Sequence, residues 1–188
     1  MRNLYSRNCI RKTWMNCVRF HGKACSSLAL GVRVCHTALE RLELKKAEAN
    51  RLVCVCENDG CCVDAIQVGL HCTTGKKRLL FYKTGKLIFT VYDLVNSRSV
   101  RICTKPEIAE RISVMRPEEI LELPEEELFY FEAAHPLTAR VQAKVRLACS
   151  VPAEGIPPRD AGVQDSPDQF MKFDLPQNGS CRPPRRPR

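Results

Sequence analysis

The chain has 188 residues, of which 44% are hydrophobic and 27% are charged, so it can bury the core of one ordinary domain. Its net charge is +9, which would suit a nucleic-acid surface, but no aromatic-rich basic strand or known binding motif accompanies that charge. No apolar run is long enough for a transmembrane helix or a signal peptide, which predicts a cytoplasmic protein without membrane contact.

The chain contains twelve cysteines, a high count for a protein of the cytoplasm. Stable disulfides are not expected in that compartment. Metal binding, redox chemistry and service as small core residues are the better explanations. We expect most of the twelve to be core residues.

The first predicted elements are a lead and a helix. Residues 1–15 are interpreted as an N-terminal lead. Residues 26–48 are predicted to form a long central helix, which Ser26 or Ser27 can cap. The apolar residues of this segment repeat at helical spacing and form one stripe: Leu28, Val32, Cys35, Leu39 and Leu42.

The second half of the predicted core is rich in strands. A strand at 52–56 and a short helix at 61–70 come first. Three further strands follow, at 78–82, 86–95 and 99–103. A Thr84-Gly85 turn predicts that the first two of these form a hairpin. Two short helices with a proline at the first position follow, at 106–115 and 124–134.

This order of elements predicts an α+β fold, with the central helix packed on a largely antiparallel sheet and short helices at the C-terminal end of the core. The core is assigned to residues 16–148. Residues 149–188 are interpreted as a disordered tail, because they are rich in proline and arginine and lack apolar periodicity.

Three segments, taken together, resemble the FmdE-like family, whose name comes from one of the subunits of formylmethanofuran dehydrogenase. The first is FHGKACSSLALGVR, which opens the predicted helix. The second is ENDGCCVDAIQV, and the third is HCTTGKKRLLFYKTGK. PEEELFYFE is similar to the closing helix of the family. The resemblance implies an α+β core with a metal-linked Cys/His cleft.

The sequence departs from the family pattern at four positions. Lys23 stands where the family has a second histidine, Ser26-Ser27 replace Pro-Gly, and His71 replaces a glycine. Because lysine is normally charged, Lys23 should either weaken a metal site or face an anion beside it, and we favour a weakened site with an open coordination position. The tail has only Cys149 and Cys181, too few for the four-ligand zinc finger that many relatives add.

The candidate metal ligands lie near the starts of the two predicted helices. Cys25 stands at a helix N-terminus, which favours the thiolate, and His21 precedes it by four residues. Cys61 or Cys62, together with Cys72, would complete a nitrogen and sulfur set for zinc or another divalent transition metal. The spacing to Asp64 favours Cys61, but the choice between the adjacent pair stays open. Asp64 itself can cap the short helix or hydrogen-bond one of the metal ligands.

Three functions are consistent with these features. The resemblance implies a metal-binding accessory protein linked to C1 metabolism and carbon dioxide reduction, with formylmethanofuran dehydrogenase subunits as partners and a homodimer as the assembly. This chain is too short for the pterin machinery of that oxidoreductase. The first alternative is a thiol oxidoreductase that uses Cys25 with Cys61, Cys62 or Cys72. The second is a binding module whose basic surface contacts nucleic acid or an acidic partner.

Overall fold

The computed structural model describes residues 7–134, without the side chains at positions 46, 47 and 50. These residues belong to one compact unit, Met1–Val151. The last part of the predicted core, residues 135–148, and the predicted disordered tail lie outside the described residues. No helix among the described residues combines the length and the apolar character that crossing a bilayer requires.

The architecture is α+β, as predicted. Helices α1 (Arg7–His21) and α2 (Ser26–Arg41) come first, and a 3-10 helix (Lys46–Arg51) leads into strand β1 (Leu52–Cys56). The next elements are helix α3 (Cys62–Gly69) and strands β2 (Leu79–Phe81), β3 (Ile88–Asp93) and β4 (Arg98–Thr104). The described chain ends with helices α4 (Pro106–Arg111), α5 (Pro117–Glu122) and α6 (Glu125–Leu128) and strand β5 (Phe129–Glu132).

Helix α2 supplies much of the core. Every residue from Leu28 to Leu39 is buried, so the predicted apolar stripe is only part of its buried surface. Buried Arg33 donates hydrogen bonds to the carbonyls of Ile120, Leu121 and Leu123, where α5 ends. These carbonyls have no partner within the helix, so the arginine satisfies them and joins α5 to α2.

The five strands form one sheet in the order β2-β1-β3-β4-β5. Strand β1 pairs in parallel with β2 and antiparallel with β3, and the remaining pairs are antiparallel. The predicted hairpin of β2 and β3 is therefore wrong, because β1 lies between these two strands. A turn at Gly85, with φ of 79°, is present, but it carries the chain past the C-terminal end of β1, where the Thr84 and Gly85 amides donate to the Glu57 carbonyl.

Three other predicted elements differ from the structure. Helix α2 ends at Arg41 rather than residue 48, and Glu43 adopts a left-handed conformation with φ of 56°, which a continuing helix does not allow. The segment 124–134 contains only one turn of helix, and its aromatic residues form edge strand β5. The predicted boundary of the lead falls inside α1, a helix that the sequence pattern did not reveal.

Candidate metal centre

The first part of the site is the tight junction between α1 and α2. Helix α1 ends at His21, and Gly22 follows with φ of 85°, a left-handed conformation that glycine adopts without strain. The Gly22 amide donates a 2.8 Å hydrogen bond to the Val18 carbonyl, which closes the helix. The chain then reverses, and Cys25 is the N-cap of α2. His21 and Cys25 therefore lie at the same corner of the fold.

The second part of the site is the start of α3. Cys61 is the N-cap of this helix, and Asp64 lies in its first turn. Both half-buried cysteines, Cys25 and Cys61, thus precede a helix whose first backbone N–H groups point towards them. The partial positive charge of a helix N-terminus favours the thiolate, the form of cysteine that binds metals.

A close approach of α2 and α3 brings the two helix starts together. Gly31 of α2 lies against the first turns of α3, and a Cβ atom at this position would be 2.5 Å from the carbonyl oxygen of Cys62. Such a distance is far inside van der Waals contact. Only glycine allows the two helices to pack at this spacing, so the distance between Cys25 and Cys61 depends on Gly31.

Three candidate ligands converge at this corner. One atom from each of His21, Cys25 and Cys61 lies within 4.8 Å of the others, and all three residues are half-buried. The Cys25 Sγ atom is 3.8 Å from His21 Nε2. Within the described part of the chain, no other three histidine, cysteine or acidic side chains meet in this way.

Asp64 orients the histidine. The His21 Nδ1 atom is 2.7 Å from Asp64 Oδ2, and because a carboxylate only accepts, Nδ1 carries the proton. The lone pair of neutral His21 is then on Nε2, the atom that faces Cys25. Gln67 Nε2 donates a 3.3 Å bond to Asp64 Oδ1, which holds the carboxylate in place. Metal-ligating histidines typically have a partner of this kind.

The protonation of Cys61 is set by opposing influences. Burial raises the pKa of this thiol, and the contact with the Cys25 thiol raises it further, whereas the charge of Lys23 lowers it. A bound dication would reverse this balance, because it favours the thiolate directly. The site is therefore suited to a metal more than to a free thiolate pair.

The donor set fits zinc. Zinc binds thiolate sulfur and imidazole nitrogen and takes four ligands in most protein sites. Two sulfurs and one nitrogen with an assigned tautomer supply three ligands of these types, and the carboxylate behind the histidine is the partner that a ligating histidine typically has. Three protein ligands would leave a fourth coordination position open.

The structure places the other two predicted ligands elsewhere. Cys62 and Cys72 are fully buried. The Cys62 thiol donates a 2.9 Å bond to Asn58 Oδ1, and the Cys72 thiol donates a 3.6 Å bond to the Leu70 carbonyl. Burial raises the pKa of Cys62 strongly and that of Cys72 to about 12. Neither residue joins His21, Cys25 and Cys61.

Cys62 and Cys72 belong instead to what we name the core cysteine cluster, which comprises Cys54, Cys56, Cys62 and Cys72. Cys54 and Cys56 alternate on β1, are fully buried, and have sulfurs 3.8 Å apart. The hydrogen bond with Cys56 and burial both raise the pKa of Cys54 well above its ordinary value. The expectation that most cysteines are core residues is confirmed for Cys54 and Cys56.

Two of the departures from the family pattern have a structural consequence. Ser26 does not cap α2, but its hydroxyl donates to the Met115 carbonyl and so ties α2 to the segment before α5. His71 has φ of 54°, a left-handed conformation that a glycine adopts more easily.

The hydrogen bond between Asp64 and His21 was one of two roles that the sequence allowed for this residue. The spacing of Asp64 to Cys61 placed it near the site, but the sequence alone did not distinguish capping of α3 from a hydrogen bond to the histidine.

The chain is similar to a known protein family and to an archaeal protein. A family model described as FmdE, Molybdenum formylmethanofuran dehydrogenase operon, matches residues 20–135, more than half of the chain. A protein of Archaeoglobus fulgidus named "Probable S-adenosyl-L-methionine-binding protein" is 30% identical over 92 residues. That similarity takes in 47% of this chain and 25% of the relative, so the chain spans about a quarter of the length of that protein.

Proposed function

The chain belongs to the FmdE family, and on this basis we propose that it is a metal-binding accessory protein that acts with formylmethanofuran dehydrogenase. The observation that carries the proposal is the convergence of His21, Cys25 and Cys61 within 4.8 Å, with Asp64 behind the histidine. The metal that fits this donor set best is zinc.

Each residue would have a defined part in holding the ion. His21 would bind through Nε2, while Asp64 accepts the Nδ1 proton and fixes the ring. Cys25 and Cys61 would bind as thiolates favoured by the starts of α2 and α3. A zinc ion held in this way supplies a Lewis acid with one exchangeable position.

The proposal extends to the cell and to partners. We place the protein in the cytoplasm, as a homodimer that associates with subunits of a formylmethanofuran dehydrogenase and thus serves C1 metabolism. The support is the membership of the family, whose description refers to the operon of that enzyme. The S-adenosylmethionine binding in the name of the archaeal relative is not part of the proposal, because three quarters of that protein lie outside the match.

Two measurements test the proposal separately. Elemental analysis of the full chain, purified without added metal, should give about one zinc per chain, because the site offers one set of nitrogen and sulfur ligands. Gel filtration of the chain mixed with formylmethanofuran dehydrogenase subunits should give co-elution. A protein without any metal would contradict the metal site. Separate elution of metal-loaded protein would contradict the link to the dehydrogenase and leave the site intact.

One observation favours a thiol oxidoreductase as a second candidate, namely the contact between the Cys25 and Cys61 thiols. A nucleophilic thiol needs a low pKa, whereas burial raises the pKa of Cys61. We therefore rank this function second. Turnover of a small disulfide substrate by metal-free protein, lost in Cys25→Ser, would reverse the ranking.

A further inference from the structure

The exposed charges of the helices are separated into two blocks. What we name the basic block, residues 7–25 of α1 and the turn after it, has no acidic residue and five exposed basic ones: Arg7, Arg11, Lys12, Arg19 and Lys23. What we name the acidic block, residues 117–127 of α5 and α6, has six glutamates and no basic residue. Blocks of one sign are typical of surfaces that bind a partner of the opposite sign.

Most charges of both blocks lack a counter-charge within residues 7–134. None of the five basic residues forms an ion pair with a described residue. In the acidic block, Glu119 pairs with Arg116 and Glu125 pairs with Arg41. The other four glutamates are exposed and form no ion pair in the described part of the chain. Charges of both signs therefore remain available to a partner.

Helix α5 lies along α2 and runs in the same direction. At the start of α2, Ser26 donates a hydrogen bond to the Met115 carbonyl, just before α5. About two turns later on α2, Arg33 donates to the Leu123 carbonyl, where α5 ends. Near the end of α2, Arg41 pairs with the first residue of α6. Each step forward on α2 is thus matched by a step forward from α5 to α6.

Helix α1 lies along α2 in the opposite direction. It ends at His21, beside the start of α2, whereas its Thr13 lies with Cys35 of α2 against Gly69 of α3. Side chains of α1 and Leu121 of α5 pack on the same buried cluster. Helices α1 and α5 are therefore neighbours on α2 that run antiparallel to each other, and they bring the basic and the acidic block side by side.

The two helices form a surface that is complementary to itself. A two-fold axis that runs between α1 and α5, along their length, places α1 of each copy opposite α5 of the other copy. Such a rotation keeps every residue at its level along α2. Arg19 and Glu118 share the level of the start of α2, so they face each other across the axis. Arg11 faces the other end of α5, where Glu122 lies.

Exposed apolar side chains lie at one end of the same surface. Phe20 on α1 is 59% exposed, and Val114, before α5, is 78% exposed. Both flank the start of α2, because α1 ends at His21 and the Met115 carbonyl binds Ser26. The two-fold axis places Phe20 of one copy opposite Val114 of the other. The contact would bury apolar surface beside the charge pairs, as specific interfaces do, and it would border the candidate metal centre.

We propose that a second copy of this chain docks on the surface formed by α1 and α5, so that the basic block of each copy contacts the acidic block of the other. A nucleic acid or an acidic protein would match the basic block but would be repelled by the glutamates beside it. A second copy matches both blocks at once. The inference rests on the proposed homodimer and names the surface that forms it.

The experiment measures the association of the full chain by analytical ultracentrifugation. Arg11→Glu with Arg19→Glu reverses the basic block, and Glu118→Arg with Glu122→Arg reverses the acidic block. Each reversed variant should have a dimer dissociation constant at least about tenfold above that of the wild type, because like charges then face each other at both contacts. Circular dichroism checks that the variants keep the wild-type fold.

A mixture of the two reversed variants is the sharper test. It should form a heterodimer with nearly the wild-type affinity, because every basic block then faces an acidic block again. Both variants keep a positive net charge, so overall attraction between them cannot cause this association. Lys76→Glu with Lys77→Glu is the matched control, since both lysines are exposed in the turn before β2, at the edge of the sheet opposite β5. This control should dimerise like the wild type.

Salt tests the same interface without a substitution. Raising sodium chloride from about 0.05 M to about 0.5 M should weaken the wild-type dimer several-fold, because salt screens exposed charges. A wild-type dimer that salt does not weaken, reversed variants that dimerise like the wild type, or a mixture of folded variants that stays monomeric would overturn this interface and leave the homodimer standing. A wild type that is monomeric at every concentration would overturn both, and the metal site would be unaffected.

Discussion

The candidate metal centre and the core cysteine cluster use the same residue type in opposite ways. At the metal centre, Cys25 and Cys61 are half-buried N-caps that meet a histidine. In the core cluster, the cysteines are fully buried, and they contact one another, an amide or a backbone carbonyl. Adjacent Cys61 and Cys62 fall on opposite sides of this division. The chemistry of a cysteine here follows its position relative to a helix start and to solvent, not its place in a motif.

The largest expected effect is on metal affinity. Cys25→Ser and Cys61→Ser should each lower zinc affinity by more than about a hundredfold, the upper range for residues that only support a ligand. Cys72→Ala should retain the metal, because Cys72 lies in the core cluster. Competition with a chelator, followed by mass spectrometry under native conditions, measures the difference. Equal metal content in Cys25→Ser and the wild type would remove Cys25 from the site.

A smaller effect should follow from the residue behind the histidine. Asp64→Asn keeps the size of the side chain but no longer fixes the proton on His21 Nδ1. Zinc affinity should fall about tenfold to a hundredfold, as for other changes behind a ligating histidine. Gln67→Ala, which loses only the bond to the other Asp64 oxygen, serves as the control. If both variants bind zinc like the wild type, His21 does not need its carboxylate partner.

The sequence predicted the fold class and several of the helices and strands. The apolar run LVCVC, with its two valines, predicted strand β1, because a short run of this composition is typical of a buried strand. Its two cysteines are buried, as expected for most of the twelve. The prediction was wrong where contacts between distant parts of the chain decide the structure. The hairpin was wrong because β1 inserts between β2 and β3, a long-range pairing that no local turn signal contains. Helix α1 was missed because its basic residues obscure a narrow buried face, on which only Thr13 and Cys17 are fully covered.

The candidate site shows the same limit. A histidine and a cysteine ahead of a helix are visible in the sequence, as is a second pair of cysteines. The packing of α2 on α3 decides whether Cys61 or Cys62 faces the start of α2. This packing depends on Gly31. The sequence pattern therefore offered five metal ligands, of which the structure brings three together.

The packing of α2 on α3 leads to a prediction about stability. Gly31→Ala would place a methyl group 2.5 Å from the Cys62 carbonyl oxygen, so it should lower the free energy of unfolding by about 2 kcal/mol, a typical cost of overpacking. Gly60→Ala is the matched control, since its nearest atom is 3.7 Å away. Chemical denaturation measures both variants. If Gly31→Ala lowers the free energy of unfolding no more than Gly60→Ala does, the close packing of α2 on α3 does not require glycine at this position.

The smallest effect is a pH dependence that separates the two sets of cysteines. Because burial raises the pKa of Cys61, its thiol is protonated near neutral pH in the metal-free protein, and a metal must displace that proton. Zinc affinity should therefore rise by up to about tenfold per pH unit for this one proton over about pH 6.5 to 8, and stop rising above the pKa. The core cluster also has raised pKa values, but it contributes nothing to this slope if it binds no metal. Cys61→Ser should reduce the slope by one proton, whereas Cys72→Ala should preserve it. A wild-type affinity that does not change with pH would show that Cys61 is not a ligand, since no thiol proton would then leave when zinc binds.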